Sequence, residues 1–291
     1  WAVQRVLGLL LTVFSFAMLP PVLISLIYQD GEVWPFLTAF AVILGVGLAI
    51  FLPVMTSRHE LRLRDGFLVV ALFWVVLGLA GALPFALAEP SLSPTNAIFE
   101  SISGLTTTGA TVILGLDDLP KSILFYRQQL QWLGGMGIIV LAVAVLPMLG
   151  VGGMQLYRAE MPGPMKDTKL TPRITETAKA LWYIYLWLTV ACALAYWGAG
   201  MTLFDAVGHA FATVAIGGFS THDLSMGYFD STAIEMIAVV FMVLAGVNFA
   251  LHFVAVRRRD GLLYWRDAEF RFYLLLIVCV TAAVTVALYY T

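Results

Sequence analysis

Charged residues are scarce in this sequence. Asp, Glu, Lys and Arg make up 12% of its 291 residues, against about 25% in soluble globular proteins, while hydrophobic residues make up 61%. A chain of this composition has too little charge to cover its apolar groups in water, which excludes a soluble domain, a disordered segment and a coiled coil. The formal net charge of −2 argues against a nucleic-acid partner. The composition therefore predicts a protein surrounded by a lipid bilayer.

Cysteine and histidine are also rare. The two cysteines, Cys192 and Cys279, lie in apolar runs, where they are expected to pack as small hydrophobic residues rather than to form a disulfide scaffold. The four histidines form no His-Glu-x-x-His zinc pair. The sequence also has no Gly-x-Ser-x-Gly nucleophile elbow and no Gly-x-x-x-x-Gly-Lys phosphate loop. We therefore expect neither an enzyme nor a covalently bound cofactor.

Long apolar runs dominate the sequence, and a helix needs about 20 such residues to cross a bilayer. Seven candidate spans are residues 5–28, 35–56, 67–88, 125–150, 178–200, 232–256 and 271–291. With the N-terminus in the cytoplasm, fourteen of the sixteen Lys and Arg residues fall on the inner side, as the positive-inside rule requires. This predicts a multi-pass membrane protein with a cytoplasmic N-terminus. Because the chain begins at Trp1 and ends inside an apolar run, we expect it to be a segment of a longer protein.

Two stretches, residues 89–120 and 201–231, are too apolar for ordinary loops and too rich in Gly and Thr to cross the bilayer. Irregular backbone at membrane depth is tolerated only where it is buried in protein or lines a wet cavity. We therefore expect two re-entrant loops that open on the outer face, each with a half-helix followed by a glycine-bearing turn. The first half-helix begins near Pro94, and the second, expected to be a few residues longer, begins near Thr202.

The two turns can be aligned. Residues 108–111 match residues 217–220, with Gly109 opposite Gly218, while a register that uses Gly217 instead stays open. Carbonyl oxygens directed at a pore axis can replace the hydration shell of a monovalent cation, and Gly permits the backbone angles that this requires. An inward-pointing half-helix also presents its negative C-terminal end to the ion. The pattern therefore predicts a cation filter made of main-chain oxygens.

In these residues the chain resembles the Trk/Ktr/HKT superfamily of potassium transporters, and within it the bacterial TrkH type. The resemblance extends over the whole chain, and its most specific segments are residues 104–111, 125–128, 131–137, 152–164 and 215–223. It implies an all-α integral membrane protein in which helix–pore loop–helix repeats surround a pseudo-fourfold pore, with about half of that pore in this chain. The implied units are a two-helix extension (1–57), a first repeat (66–150), a cytoplasmic linker (151–176), a second repeat (177–258), and a cytoplasmic loop with the first helix of a third repeat (259–291).

The resemblance also implies a function and a set of filter residues. Potassium uptake across the bacterial inner membrane is the implied activity, and coupled symport of K+ with Na+ or H+ is the alternative. The implied K+-binding oxygens belong to Thr107, Thr108, Gly109, Ala215, Ile216, Gly217 and Gly218. The implied filter flanks are Thr106, Ala110, Thr111, Phe219 and Ser220. The implied partners are a second copy of the protein, in a homodimer, and a cytosolic nucleotide-binding regulatory ring of the TrkA type, so nucleotide is expected only on that partner.

Two ionisable residues lie at membrane depth, which makes them functional candidates by default. Glu100 and Arg127 either pair behind the first turn and brace it, or Arg127 lies at the outer mouth, where it repels cations or steadies the loop; bracing is favoured. Near the second turn, Asp205 is expected to cap the half-helix and His209 to be a packing histidine with its hydrogen bonds satisfied. His222, just beyond that turn, is expected to stabilise the outer mouth.

Overall fold

The computed structural model describes residues 1–56, 63–137 and 174–290, and every regular element in these residues is helical. The N-terminal pair begins with α1 (Ala2–Ser15), which continues through a short 3-10 turn into α2 (Leu19–Tyr28). α3 (Val33–Phe51) returns alongside α1. Both runs are long and apolar enough to cross a membrane, which confirms the first two predicted spans.

The next group of helices surrounds the first half-helix. It consists of α4 (Leu63–Gly81), α5 (Leu83–Leu87), the half-helix α6 (Pro94–Leu105) and α7 (Lys121–Trp132). The buried side chain of Tyr126 ties this group together, because its hydroxyl donates to the carbonyl oxygen of Gly81 at 2.9 Å and its ring packs against Phe36 and Phe85. α7 is therefore held against the end of α4 and against the N-terminal pair.

Two predicted spans in this region differ in detail from the structure. The run predicted at 67–88 is divided between α4 and α5, with a break at Ala82. The run predicted at 125–150 begins four residues earlier, at Lys121, and turns into a π-helical segment over Leu133–Gly137. Residues 138–150 of that prediction, and residues 151–173 of the expected linker, lie outside the described residues.

A second group contains the other half-helix. It consists of α8 (Ile174–Gly198), the half-helix α9 (Leu203–Val214), α10 (Thr232–Gly246) and α11 (Phe249–Arg258). α8 packs along α9 and α10, and the side chain of Tyr196 reaches the hydroxyl of Thr213 at 2.7 Å. α9 is thus enclosed on one side by α8 and on the other by α7.

The span predicted over 232–256 is bent in the structure and divided between two helices. The chain bends by 95° between α10 and α11, which frees the last carbonyl groups of α10 from their helical partners. Nε2 of His252 lies 2.9 Å from the carbonyl oxygen of Leu244, and the hydroxyl of Tyr273 donates to that of Val243 at 3.3 Å. These side chains satisfy the freed carbonyls and so stabilise the bend.

The described chain ends with α12 (Leu262–Arg266) and α13 (Ala268–Tyr290). α13 is a long apolar helix that packs against α12 and has no buried residue in this structure. Four helical runs of the described residues have the length and apolar composition of a membrane span, and a fifth is obtained if α10 and α11 form one bent span. The chain is therefore an all-helical membrane protein with two half-helices inserted between its spans.

Candidate ion-binding site at the two re-entrant turns

The two half-helices have the same length and the same type of N-terminal cap. α6 and α9 each contain 12 residues, so the expectation of a longer second half-helix is wrong. The hydroxyl of Ser93 accepts a hydrogen bond from the backbone N–H of Asn96 at 3.3 Å, and that of Thr202 accepts one from Asp205 at 3.1 Å. Equivalent positions differ by 109 in residue number, which gives a residue-by-residue correspondence between the two loops.

The turns that follow share one backbone conformation. Thr107 and Gly109 have φ of 55° and 77°, and their equivalents Ile216 and Gly218 have 53° and 86°. The hydrogen bonds match as well, since Thr108 N donates to Ser103 O at 2.9 Å and Gly217 N to Ala212 O at 2.8 Å. The left-handed positions identify Gly218, not Gly217, as the equivalent of Gly109. Glycine adopts this conformation without the cost that a Cβ imposes.

The two turns lie against each other. A Cβ atom on Gly109 would overlap the carbonyl oxygen of Gly217 and would lie 3.7 Å from the Cα of Gly218. Within the described part of the chain, no hydrogen bond is made to the carbonyl oxygens of residues 106–109 or 215–218. The structure therefore brings Gly109 of the first loop against Gly217 and Gly218 of the second, and no donor among the described residues uses the main-chain acceptors of the two turns.

The predicted flanking residues hold the ends of the turns. The hydroxyl of Thr106 bonds back to the carbonyl oxygen of Ile102 at 2.7 Å and lies 2.7 Å from the hydroxyl of Thr108. The carbonyl oxygen of Ala110 accepts a hydrogen bond from the hydroxyl of Ser103. The first turn is thus tied back to its own half-helix on both sides of Gly109.

Arg127, on α7, lies between the two turns and is completely buried. Its Nε donates to Glu100 Oε1 at 2.8 Å, and its Nη2 donates to the hydroxyl of Thr111 at 3.0 Å. Its Nη1 donates to the carbonyl oxygen of Ser220 at 3.1 Å, and the guanidinium stacks on the ring of Phe219. Of the two interpretations of Arg127, these contacts favour pairing with Glu100 behind the first turn. Arg127 also contacts the second turn, through Ser220.

Glu100 completes this arrangement from α6. Its carboxylate accepts hydrogen bonds from the hydroxyl of Thr111 at 2.9 Å and from the backbone N–H of Val112 at 3.2 Å, in addition to that from Arg127. Both members of the ion pair have fully buried side chains. A buried charge is tolerated only when it is paired and hydrogen-bonded, and both conditions are met here.

Two glutamines of α7 that were not predicted as functional residues support the second turn. Gln131 Oε1 accepts a hydrogen bond from the backbone N–H of Phe219 at 3.0 Å. Gln128, with its amide oriented to satisfy both neighbours, donates to Gly208 O at 3.2 Å and accepts from Thr221 N at 3.3 Å. Their position in the sequence could have indicated this role. Gln128 and Gln131 lie close to Arg127 in a predicted span, and polar side chains at membrane depth need hydrogen-bond partners.

A polar network joins the loops outside the turns. Nδ1 of His222 donates to Asp117, and Oδ2 of Asp223 accepts a hydrogen bond from Leu116 N at 3.0 Å. The hydrogen bond from His222 holds the pKa of the Asp117 carboxyl below its ordinary value. The hydroxyl of Thr221 donates to Asp205 Oδ1 at 2.8 Å. His222 thus forms a direct link between the two loops, and its place at the outer mouth stays a prediction.

Comparisons with known proteins agree with this architecture. The family model for TrkH, described as a cation transport protein, matches residues 36–291. The Trk system potassium uptake protein TrkH of Vibrio parahaemolyticus is 62% identical over 287 residues, covering 96% of this chain and 59% of that protein. The TrkH protein of Escherichia coli K12 is 58% identical over 284 residues, with coverages of 96% and 59%.

A solved structure is also similar. The crystal structure of the potassium transporter TrkH from Vibrio parahaemolyticus matches with a TM-score of 0.83 and 57% sequence identity. The match covers 95% of this chain and 56% of the other. The chain thus spans less than two thirds of the length of these relatives. The family match over most of the sequence, together with the paired re-entrant turns, means that the chain belongs to the TrkH family of cation transport proteins.

Proposed function

We propose that this chain contributes half of a pore that takes up K+ across the bacterial inner membrane, with its N-terminus in the cytoplasm. The observation that carries the proposal is the contact between two turns of one backbone geometry, whose carbonyl oxygens accept no hydrogen bond within the described residues. Relatives at 58–62% identity are named as Trk system potassium uptake proteins, which supports K+ as the ion.

In this proposal the ion exchanges its water shell for main-chain oxygens. The carbonyl groups of residues 107–109 and 215–218 are the binding groups, with the C-terminal ends of α6 and α9 adding a negative potential. No carboxylate is needed at the site, and the turns contain none. The pair Glu100–Arg127 acts behind the turns as a brace, because each of its members contacts backbone or hydroxyl groups that fix the filter ends.

We further propose the assembly that the family resemblance implies. The repeats 66–150 and 177–258 each supply one quarter of a pore, and residues 259–291 begin a third. The protein acts as a homodimer with a cytosolic nucleotide-binding ring of the TrkA type. The name "Trk system" implies companion subunits for the relatives that carry it, which supports the second partner.

Growth rescue tests the proposal. A bacterium that lacks its own potassium uptake systems is supplied with this chain alone, with the complete native reading frame, or with that frame carrying Gly109→Ser. We expect growth at low K+ only with the unmodified complete frame. Failure of that frame to rescue growth would contradict the proposed function, and rescue by the chain alone would contradict the assignment of half a pore.

Reversal potentials distinguish a pore from a symporter. In liposomes that contain the complete protein, the reversal potential of a K+-selective pore follows the K+ gradient alone. A coupled symporter would instead shift its reversal potential when only the Na+ or the H+ gradient is changed.

A further inference from the structure

The residue-by-residue correspondence of the two loops pairs Glu100 with His209 and Thr111 with Ser220, since each pair differs by 109. In the first loop, the carboxylate of Glu100 accepts the proton of the Thr111 hydroxyl. In the second loop, Nε2 of His209 lies 2.9 Å from the hydroxyl oxygen of Ser220. Each half-helix therefore carries one side chain that holds a hydroxyl two residues beyond the glycine of its turn, but the two side chains are chemically different.

The hydrogen-bond partners of His209 fix the position of its proton. Nδ1 lies 2.9 Å from the carbonyl oxygen of Asp205, which can only accept, so Nδ1 carries the hydrogen. The Ser220 oxygen already accepts a hydrogen bond from the backbone N–H of His222 at 3.1 Å, which leaves the Ser220 proton for Nε2. His209 is 2% exposed. The neutral imidazole with the proton on Nδ1 thus has a hydrogen-bond partner at each of its two ring nitrogens.

Ser220 transmits this contact to the turn. Its hydroxyl is held by His209 and its carbonyl oxygen by Arg127, while the preceding N–H, that of Phe219, is held by Gln131. The backbone that leaves Gly218 is therefore held at two peptide groups, Gly218–Phe219 and Ser220–Thr221. Its direction determines where the Gly218 carbonyl oxygen lies.

The hydrogen bonds that Glu100 and His209 make at these equivalent positions differ in strength. Glu100 contributes hydrogen bonds from an ionised group, which are about twice as strong as neutral ones. His209 contributes a neutral hydrogen bond in its place. At this pair of equivalent positions the second turn therefore has the weaker support, although Arg127 also holds that turn through the carbonyl oxygen of Ser220.

We propose that His209, through its hydrogen bond with Ser220, is a positioning residue that sets the preference of the filter for K+ over Na+. This inference rests on the proposed function of the two turns as an ion filter. His209 does not contact the ion. It acts by fixing the spacing of carbonyl oxygens on the second turn, and that spacing contributes to discrimination between alkali cations.

The test uses the complete native protein in liposomes, with permeability ratios taken from reversal potentials under K+/Na+ bi-ionic conditions. His209→Leu and Ser220→Ala should each lower the K+/Na+ permeability ratio by up to about tenfold, the change expected if the energy of one buried hydrogen bond is lost for K+ and not for Na+. His209→Gln should keep a ratio close to that of the wild type, because its amide oxygen can accept the Ser220 proton. The double variant His209→Leu/Ser220→Ala should be no worse than either single variant.

His252 provides a matched control. It is also buried, with Nδ1 2.8 Å from the hydroxyl of Tyr264 and Nε2 2.9 Å from the carbonyl oxygen of Leu244, but it lies at the α10–α11 bend. His252→Leu should lower thermal stability and leave the permeability ratio unchanged. A change of the ratio in this variant equal to that in His209→Leu would identify a general packing effect and overturn the proposal.

Other results would also overturn the inference about His209. Wild-type permeability ratios in both His209→Leu and Ser220→Ala, or additive effects in the double variant, would overturn the inference while the proposed function stands. If His209→Leu fails to fold, Ser220→Ala tests the same hydrogen bond from its other end. Absence of K+ flux through the wild-type protein would overturn the proposed function and the inference together.

Discussion

The guanidinium of Arg127 and the carbonyl oxygen of Ser220 are joined by a 3.1 Å hydrogen bond between residues that are 93 positions apart. Arg127 belongs to the helix that follows the first turn, whereas Ser220 belongs to the second turn. Because the same guanidinium also bonds to Glu100, one side chain connects the supports of both turns.

Removal of the Arg127 charge should be strongly destabilising. Arg127→Gln leaves the carboxylate of Glu100 buried without its counter-charge, which we expect to lower the free energy of unfolding by about 3–5 kcal/mol. Thermal unfolding of the detergent-solubilised protein measures the loss. The double variant Glu100→Gln/Arg127→Gln should regain part of it, because no charge is then left unpaired. A double variant less stable than Arg127→Gln alone would contradict the ion-pair explanation.

Substitutions at two glycines with positive φ should distinguish the effect of backbone strain on stability from an effect on ion permeation. Gly115 and Gly218 have φ of 73° and 86°, and a Cβ on either would meet no atom within 4 Å. Gly115→Ala and Gly218→Ala should therefore each cost about 1–2 kcal/mol of stability. Only Gly218→Ala should reduce K+ flux and the K+/Na+ permeability ratio. Equal losses of flux in both variants would show that strain alone explains the effect.

Gly109→Ala should be more severe than Gly218→Ala. A Cβ at Gly109 combines left-handed strain with overlap of the carbonyl oxygen of Gly217, so the two turns must move apart. We expect K+ flux to be lost in liposomes while the protein still folds. Flux through Gly109→Ala equal to that through Gly218→Ala would contradict the close approach of the turns.

Gln131 and Gln129 lie on the same helix and form a matched pair. Gln131 accepts from the backbone of the second turn, whereas Gln129 donates from Nε2 to the carbonyl oxygen of Ala17 at 2.8 Å, in the N-terminal pair. Gln131→Leu should lower the K+/Na+ permeability ratio, because the Phe219 N–H loses its acceptor. Gln129→Leu should lower stability by a similar amount, about 1–3 kcal/mol, and leave the ratio unchanged. The prediction is wrong if the two variants have the same ratio.

The link between Asp117 and His222 should depend on pH. The pKa of Asp117 is held below its ordinary value of 3.8 in the folded protein, chiefly by the hydrogen bond from His222. A lowered carboxyl pKa contributes stability that is present above the unfolded-state value and is lost as the pH falls through the folded-state value. Asp117→Asn should therefore be less stable than the wild type at pH 7, and the difference should begin to shrink near pH 4 and disappear only below the lowered pKa of the folded state. Thermal unfolding of both proteins across this range measures it.

The sequence was sufficient to predict the two turns, because the evidence is local, whereas the choice of Gly218 over Gly217 as the equivalent of Gly109 required the backbone angles. Gly109 and Gly218 occupy the positions where the backbone requires a left-handed residue, and apolar half-helices precede both. The equal length of the half-helices was missed because the cap at Ser93 was not matched with the cap at Thr202. Both are hydroxyl side chains 109 residues apart, so the sequence contained the signal.

Other features could not be predicted from local patterns. The contacts of Gln131 with Phe219 and of Arg127 with Ser220 join residues about 90 positions apart, and periodicity carries no information about such pairs. The bend after Gly246 was also not predicted, because the apolar run continues on both sides of Gly246 and Asn248 and has the overall length of a single span. A helix break in a membrane span depends on neighbours that satisfy the freed carbonyls. Those neighbours, His252 and Tyr273, are identified only by the fold.

The uniform offset of 109 between the re-entrant loops has a practical consequence. Residues 93–112 and 202–221 are equal in length and equivalent in position, so either segment can replace the other with no insertion or deletion. A chimera with two copies of the first loop would put a carboxylate where His209 now lies, and one with two copies of the second would leave Arg127 without Glu100. These chimeras place a charged or a neutral side chain at the same position of the loop. The effect of that one difference can then be compared in a single protein, with loops of the same length.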